Sequence, residues 1–188
     1  MTATATPTVT LQDLDGTYVI DPSHSRMGFV ARHAMVTKVR GSFNDFSGSA
    51  TTGAGLADAK IEVAIKADSI TTGSADRDGH LRSGDFFGTD EHTELTFVST
   101  SVQAVDGETL RVEGDLTIKG IAKPVSIDFE YAGAATDPFG NLRVGFEGST
   151  VIKRSDFGIT WNAALEAGGV LVSDKVTLEI EISAIKQA

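Results

Sequence analysis

The chain has 188 residues, a formal net charge of −10 at pH 7, 40% hydrophobic residues and no cysteine. This length suits one domain with a sizeable core, and the apolar fraction excludes a disordered chain. Without cysteine there are no disulfides, thiolate metal sites or thiol nucleophiles. The acidic balance argues against nucleic acid and against an anionic membrane surface as partners, because both need clustered Lys and Arg.

The first ten residues are rich in Thr and Ala and show no hydrophobic period. We therefore predict a disordered tail over residues 1–10, followed by a single domain over residues 11–188. The start of the chain lacks the basic and apolar regions of a secretory signal, and no apolar run is long enough for a membrane-spanning helix. These features lead us to expect a cytoplasmic protein with no integral membrane segment.

Apolar and polar residues alternate along most of the remaining chain, which is typical of half-buried strands. In chain order this alternation predicts strands over residues 16–21, 25–33, 40–51, 59–67, 94–103, 110–119, 125–131, 142–153 and 176–184. A short helix is predicted over residues 74–83, where Ser74 suits the N-cap and Gly84 suits the position after the C-terminus. Short turns such as Asp106-Gly107 separate consecutive strands, so neighbouring strands should be antiparallel.

These elements predict an all-β domain, which could be a sandwich or a closed barrel. The short connections favour an extended, lipocalin-like, up-and-down antiparallel β-barrel of about eight strands, with short helices at its ends. A barrel of this size has an interior that holds either its own side chains or one small ligand.

No residue pattern points to catalysis. The histidines lack zinc-ligand spacing, and the sequence has neither a nucleophile elbow nor a phosphate-binding glycine loop. We therefore predict no catalytic residues, no metal site and no cofactor. His33 continues the face of Met27 and Phe29 and should point inward, where it would contact a ligand head group or be a hydrogen-bonded core residue.

Large apolar side chains on the inward faces and around the short helix are the candidate ligand-binding residues, with core packing as the alternative for each. Phe86 and Phe87 follow the helix, where the mouth of a barrel would need a hydrophobic lid. Together with His33, the candidates are Phe29, Ile61, Val63, Leu81, Phe86, Phe87, Phe97, Leu116, Phe129, Phe146 and Trp161.

Several short strings, taken in order, resemble the YceI-like family of polyisoprenoid-binding proteins. They include Tyr18-Val-Ile-Asp-Pro-Ser-His-Ser25, Val39-Arg-Gly-Ser-Phe43, Arg77-Asp-Gly-His-Leu-Arg82 and Lys153-Arg-Ser-Asp-Phe-Gly158. The resemblance implies an extended barrel that holds a long isoprenoid chain, with no established catalytic step. Many members are periplasmic or secreted. This chain lacks their export signal, and it has Glu91-His-Thr-Glu94 where members often have a Tyr-Pro pair.

The function expected from this resemblance is non-enzymatic binding, transport or storage of a long-chain isoprenoid-type lipid, either a polyisoprenoid or an isoprenoid quinone or its precursor. One alternative is an enzyme that acts on such a lipid, with His33, His80 and Asp78 as acid or base. Another is a barrel filled by its own side chains that serves as an interaction module. We also expect a homodimer, because exposed strand edges at an imperfect closure need covering.

Overall fold

The computed structural model describes residues 8–188, and within that range the chain forms eleven strands and one α-helix. The strands are β1 (Gly16–Ile20), β2 (Arg26–His33), β3 (Thr37–Phe43), β4 (Phe46–Thr52), β5 (Lys60–Lys66), β6 (Ile70–Thr71), β7 (Glu94–Ala104), β8 (Thr109–Ile118), β9 (Ile121–Thr136), β10 (Leu142–Lys153) and β11 (Lys175–Lys186), and the helix is α1 (Ala75–Arg82). Across the described residues, no helix has the length and apolarity needed to cross a membrane.

Eight of the strands close into an antiparallel barrel, so the predicted fold class is confirmed. Their order around the barrel is β1-β4-β5-β7-β8-β9-β10-β11, and β1 pairs with β11 to complete the ring. Strand β11 pairs with β10 along one edge and shares its other edge between two strands. Its C-terminal part pairs with β1, as in Ile20 opposite Ala184, and its N-terminal part pairs with β2, as in Val30 opposite Thr177. Strands β2, β3 and β6 extend the sheet at that second end.

The single strand predicted over residues 40–51 is wrong, because the chain turns a corner at Asn44 and Asp45. The backbone N–H of Asn44 donates to the carbonyl of Ser69, and the carbonyl of Asp45 accepts from the N–H of Lys66. These hydrogen bonds hold the corner. Strand β3 therefore pairs with β2, whereas β4 pairs with β1.

The ordered domain begins earlier than predicted. Leu11 is fully buried in a 3-10 turn, and the backbone N–H of Thr10 donates to Asp13 at 2.8 Å to cap that turn. The hydroxyl of Tyr131 donates to the carbonyl of Val9 at 3.0 Å. Val9 and Thr10, which belong to the tail predicted over residues 1–10, therefore contact the domain, and residues 1–7 lie outside the described part of the chain.

Helix α1 begins where Ser74 predicts it, with the Ser74 hydroxyl accepting a hydrogen bond from the backbone three residues later. Asp78 is buried, and its carboxylate accepts from both the backbone N–H and the hydroxyl of Thr72. Arg82 donates to the carbonyl of Ile70 at 3.0 Å. These contacts anchor the helix to β6 and so place it at the β6 end of the barrel.

Candidate functional site

The end of the barrel beside α1 is closed by packed aromatic side chains. Phe43, Phe46, Phe86 and Phe157, each at most 8% exposed, form what we call the aromatic plug. Phe87 lies edge-on against Phe43, with ring centres 5.7 Å apart. A ligand cannot enter through this end unless the plug moves.

Arg154 fastens the chain segment that covers the plug. The residue is 7% exposed, and its guanidinium donates to four backbone carbonyls, those of Ser173, Ile159, Trp161 and Val172, at 2.8 to 3.2 Å. Burial lowers the pKa of this guanidinium, but an arginine stays charged at neutral pH. The carbonyl oxygens supply the polar contacts that a buried cation requires, and they fix the segment over residues 159–173.

A cavity with almost entirely apolar walls lies between the aromatic plug and the N-terminal turn. The cavity volume, counted as the space that the centre of a water molecule can reach, is about 180 Å³. One water molecule needs roughly 10–15 Å³ by this measure, so a chain of about a dozen methylene-sized groups would fit. The apolar side chains that form its walls come from nine strands, from the segment before β1 and from the β4–β5 connection: Leu14, Tyr18, Ile20, Met27, Ala50, Leu56, Ile61, Val63, Phe97, Val102, Leu110, Val112, Leu116, Val125, Ile127, Phe129, Val144, Phe146, Leu178, Ile180, Ile182 and Ala184.

Two pairs of glycine and phenylalanine keep the cavity open. Gly114 and Gly148 lie on the inward faces of β8 and β10, where each is covered by a ring from the adjacent strand. A Cβ atom on Gly114 would lie 2.5 Å from Cζ of Phe97, and one on Gly148 would lie 2.7 Å from Cδ1 of Phe129. Because no side chain occupies the glycine positions, these rings lie flat along the wall rather than across the cavity.

The cavity reaches the surface at the end of the β4–β5 hairpin. Among the residues that line it, Thr52, Leu56 and Ala59 lie in or beside the β4–β5 connection, and each is partly exposed. Leu56 covers the same end from the connection between β4 and β5. Its φ of 65° is unusual for a bulky side chain, and this strain indicates a conformation imposed by the surroundings.

The structure divides the twelve predicted site residues into three groups. Six of them line the cavity together: Ile61, Val63, Phe97, Leu116, Phe129 and Phe146. Five belong to the packed end beside α1 instead: Phe29, Leu81, Phe86, Phe87 and Trp161. The expectation that Phe86 and Phe87 form a lid at the mouth is therefore wrong, because the mouth is at the opposite end and these rings are part of a packed core.

The predicted inward orientation of His33 is also wrong. The residue is exposed at the end of β2, because the strand pairing leaves the barrel wall there to form a hairpin with Thr37. The other two proposed acid–base residues do not line the cavity either. Asp78 is committed to Thr72, and His80 contacts Asp85 at 2.9 Å and lies edge-on to Trp161.

Part of the cavity wall comes from irregular segments and was not predicted from the sequence. Leu14 and Leu56 lie in connections without period-two alternation, so no pattern marked them as inward-facing. Tyr18 and Ile20 sit on a predicted strand, and their alternation was the signal that could have identified them.

An ionic cluster on β10 stabilises the barrel away from the cavity. Arg143 donates to Asp21 at 2.7 Å and to Asp137 at 2.8 Å. Hydrogen bonds from the backbone of Asn141, together with Arg143, lower the pKa of Asp137 to about 2. The pKa of Asp21 is lowered by the hydroxyl of Ser23, and by Arg143 and His24.

The closed ring and its apolar cavity define an all-β barrel with an apolar interior. A family model described as the YceI-like domain matches residues 18–184, and the chain belongs to this family. A UPF0312 protein of Staphylococcus aureus (strain MSSA476) is 39% identical over 164 residues, which cover 86% of this chain and 93% of the relative.

Solved structures of related barrels agree with the fold. The crystal structure of the Campylobacter jejuni YCEI protein superposes with a TM-score of 0.71 at 31% identity, covering 84% of this chain and 90% of that one. A domain from Saccharophagus degradans, described as polyisoprenoid-binding and implicated in plant cell wall breakdown, superposes with a TM-score of 0.70 at 17% identity. That match covers 90% of this chain and 98% of the domain, and at such low identity it supports the fold alone.

Proposed function

We propose that this protein binds the hydrocarbon chain of an isoprenoid-type lipid inside the barrel and carries or stores that lipid without changing it. The observation that carries the proposal is the enclosed cavity with almost no polar surface on its walls. The hypothesis of a barrel filled by its own side chains is not favoured, because the side chains leave this space empty.

Apolar burial supplies the binding energy. Each methylene group removed from water contributes roughly 0.8 kcal/mol, so a segment of about a dozen such groups contributes on the order of 10 kcal/mol before the cost of association. No hydrogen bond is needed inside. A chain longer than this segment would extend through the mouth, toward Lys60 and Thr51, and its polar head would remain in water.

The arrangement of titratable groups favours a carrier over an enzyme. A general acid or base must reach the reacting atoms, within about 3 Å or through one water. His33 is exposed, and His80 and Asp78 lie with the helix, so none of the three lines the cavity. A chain bound between the plug and the mouth would not touch them.

The test is mass spectrometry of an organic extract of the purified protein, followed by incubation of the delipidated protein with an isoprenoid alcohol. A carrier yields an intact lipid in the extract and returns the added alcohol unchanged. The enzyme alternative predicts turnover that His33→Ala or Asp78→Asn abolishes. An empty extract together with no uptake of the alcohol would contradict lipid binding.

The oligomeric state and the compartment remain proposals. We propose a homodimer that pairs through the outer edge of β3, which has no strand partner over residues 37–41. Light scattering of the purified chain would show a strict monomer if this is wrong.

We also propose that the protein resides in the cytoplasm, which cell fractionation tests.

A further inference from the structure

Four cationic side chains form a row across the outer face of neighbouring strands. Lys153 of β10 lies opposite Lys175 of β11, and Arg32 of β2 lies opposite Lys38 of β3. Strands β11 and β2 are paired as far as Thr177 and Val30, and beyond that pair the register shifts so that Arg32 exchanges hydrogen bonds with Ser173, two residues from Lys175. We call these four residues, two facing pairs on neighbouring parts of the sheet, the cationic row. All four residues are exposed.

This cationic row has no carboxylate partners of its own. Among the ion pairs of residues 8–188, none includes any member of the row, nor Arg40 beside it. Like charges that face each other across a strand pair are destabilising, so the arrangement costs stability unless an anion binds there. The charged groups nearest in the chain are Arg154, which is buried, and the acidic residues Asp156, Glu166 and Asp174, the last of which accepts hydrogen bonds from Ser155.

An apolar tip projects beside the row. The turn between β2 and β3 exposes 64% of Met35 and 75% of Val36, and the backbone N–H of Ala34 donates to the carbonyl of Leu171 at 2.7 Å. Ala34 and Met35 have positive φ values of 50° and 61°, which Asn-Gly would adopt more easily in such a turn. The sequence thus tolerates backbone strain while presenting a large apolar side chain to solvent.

We propose that the β2–β3 hairpin and the cationic row dock this protein on an anionic membrane, with Met35 and Val36 among the lipid head groups. Exposed apolar side chains flanked by Lys and Arg are the combination that interfacial anchors use. The net charge of −10 does not oppose this local binding, because the segment over residues 26–43 contains Arg and Lys but no Asp or Glu. The tip favours a membrane over an acidic protein, because it offers side chains suited to insertion.

The docking surface and the cavity mouth lie at opposite ends of β11. The mouth is near the strand end that pairs with β1, and the row is near Lys175. Docking therefore goes beyond the proposed function and does not depend on what the cavity holds. Lipid-loaded and delipidated protein should bind vesicles equally.

Co-sedimentation with vesicles tests the proposal, using phosphatidylcholine alone and phosphatidylcholine with one-third phosphatidylglycerol. The wild type should bind only the anionic vesicles, and less at high salt. Each cation near the surface is worth roughly fivefold in affinity, so the double variant Arg32→Gln, Lys38→Gln should bind about 25-fold more weakly. Replacing Met35 and Val36 by Ser should weaken binding about tenfold, including at high salt.

The matched control is the double variant Arg111→Gln, Lys123→Gln, which removes two exposed cations from β8 and β9 on another part of the barrel. It has the same net charge of −12 as the first variant, since −10 minus two positive charges is −12. It should bind vesicles like the wild type. Equal losses in both double variants, no binding to anionic vesicles at low salt, or binding to acidic protein but not to vesicles would overturn the proposal.

Discussion

The width of the cavity should depend on Gly148, which lies under the ring of Phe129. In Gly148→Ala the new Cβ atom would lie 2.7 Å from Cδ1 and 3.0 Å from Cε1 of that ring, and 3.0 Å from the backbone carbonyl oxygen of Asp128. Carbon atoms prefer a separation of about 3.5–4.0 Å, so the ring must retreat by about 1 Å. The hydrogen-bonded pairing of β9 and β10 holds the backbone, which leaves the cavity as the space into which the ring can turn.

The expected effect on stability is small, whereas the effect on binding is large. The strain of the added methyl group is opposed by the lower backbone entropy cost of Ala, and each is worth about 1 kcal/mol. The melting temperature should therefore change by less than about 4 °C. A methyl branch that no longer fits a hydrophobic pocket costs about 1–3 kcal/mol, so a branched isoprenoid chain should bind at least about tenfold more weakly.

Competition between a fluorescent farnesol and an unbranched alcohol of equal length measures this change, with thermal unfolding alongside it. The matched control is Gly145→Ala on the same strand, where the added Cβ meets only Cβ of Ala132, at 3.4 Å. The reasoning is refuted if Gly148→Ala binds the branched chain as tightly as the wild type, or if Gly145→Ala weakens it equally.

Three further predictions concern charge and polarity. Val63→Asp should lose bound lipid and about 3 kcal/mol of stability, because its carboxylate would face an apolar cavity. The control Glu62→Ala changes an outward-facing residue and should lose neither lipid nor stability. The amount of lipid extracted per mole of protein and the melting temperature measure both effects. The pKa of the Asp137 carboxyl is about 2 in the folded chain, below its ordinary value of 3.8. The contribution of Asp137 to stability is therefore complete above about pH 4 and is lost as the pH falls toward 2. Acid titration of Arg143→Gln, which lacks the guanidinium that two carboxylates share, should show a shallower loss over that range, and a slope equal to that of the wild type would contradict the assignment. Arg154→Leu leaves four carbonyls without their donor and should cost about 3 kcal/mol or more in urea unfolding; a loss under about 1 kcal/mol would show that the segment is held by other contacts.

The sequence was sufficient to predict the barrel and six of the residues that line the cavity. Alternation along β5, β8, β9 and β10 assigns each side chain to one face, and Ile61, Leu116 and Phe146 do line the cavity. The register is fixed because a shift of one residue would turn the apolar face of a strand to water. A periodic pattern therefore carries enough information for regular strands.

The errors lie where tertiary contacts override the local pattern. Nothing local shows that the regular pairing with the barrel strand β11 ends after Val30, and the alternation therefore placed His33 inside. The assignment of Phe86 and Phe87 to a mouth failed for a related reason, because either end of a barrel can be the closed one. That choice depends on Arg154, whose four carbonyl acceptors lie 5 to 19 residues away in the chain.

The most direct test of the central claim is to label the binding site with a photoreactive farnesol analogue and identify the modified residues by mass spectrometry. We predict labels on inward-facing residues of the cavity, such as Val112, Leu116 and Phe146, and none on the aromatic plug. Val63→Asp should abolish this labelling. Labels confined to α1, to the plug or to the outer face of the barrel would contradict binding in the cavity.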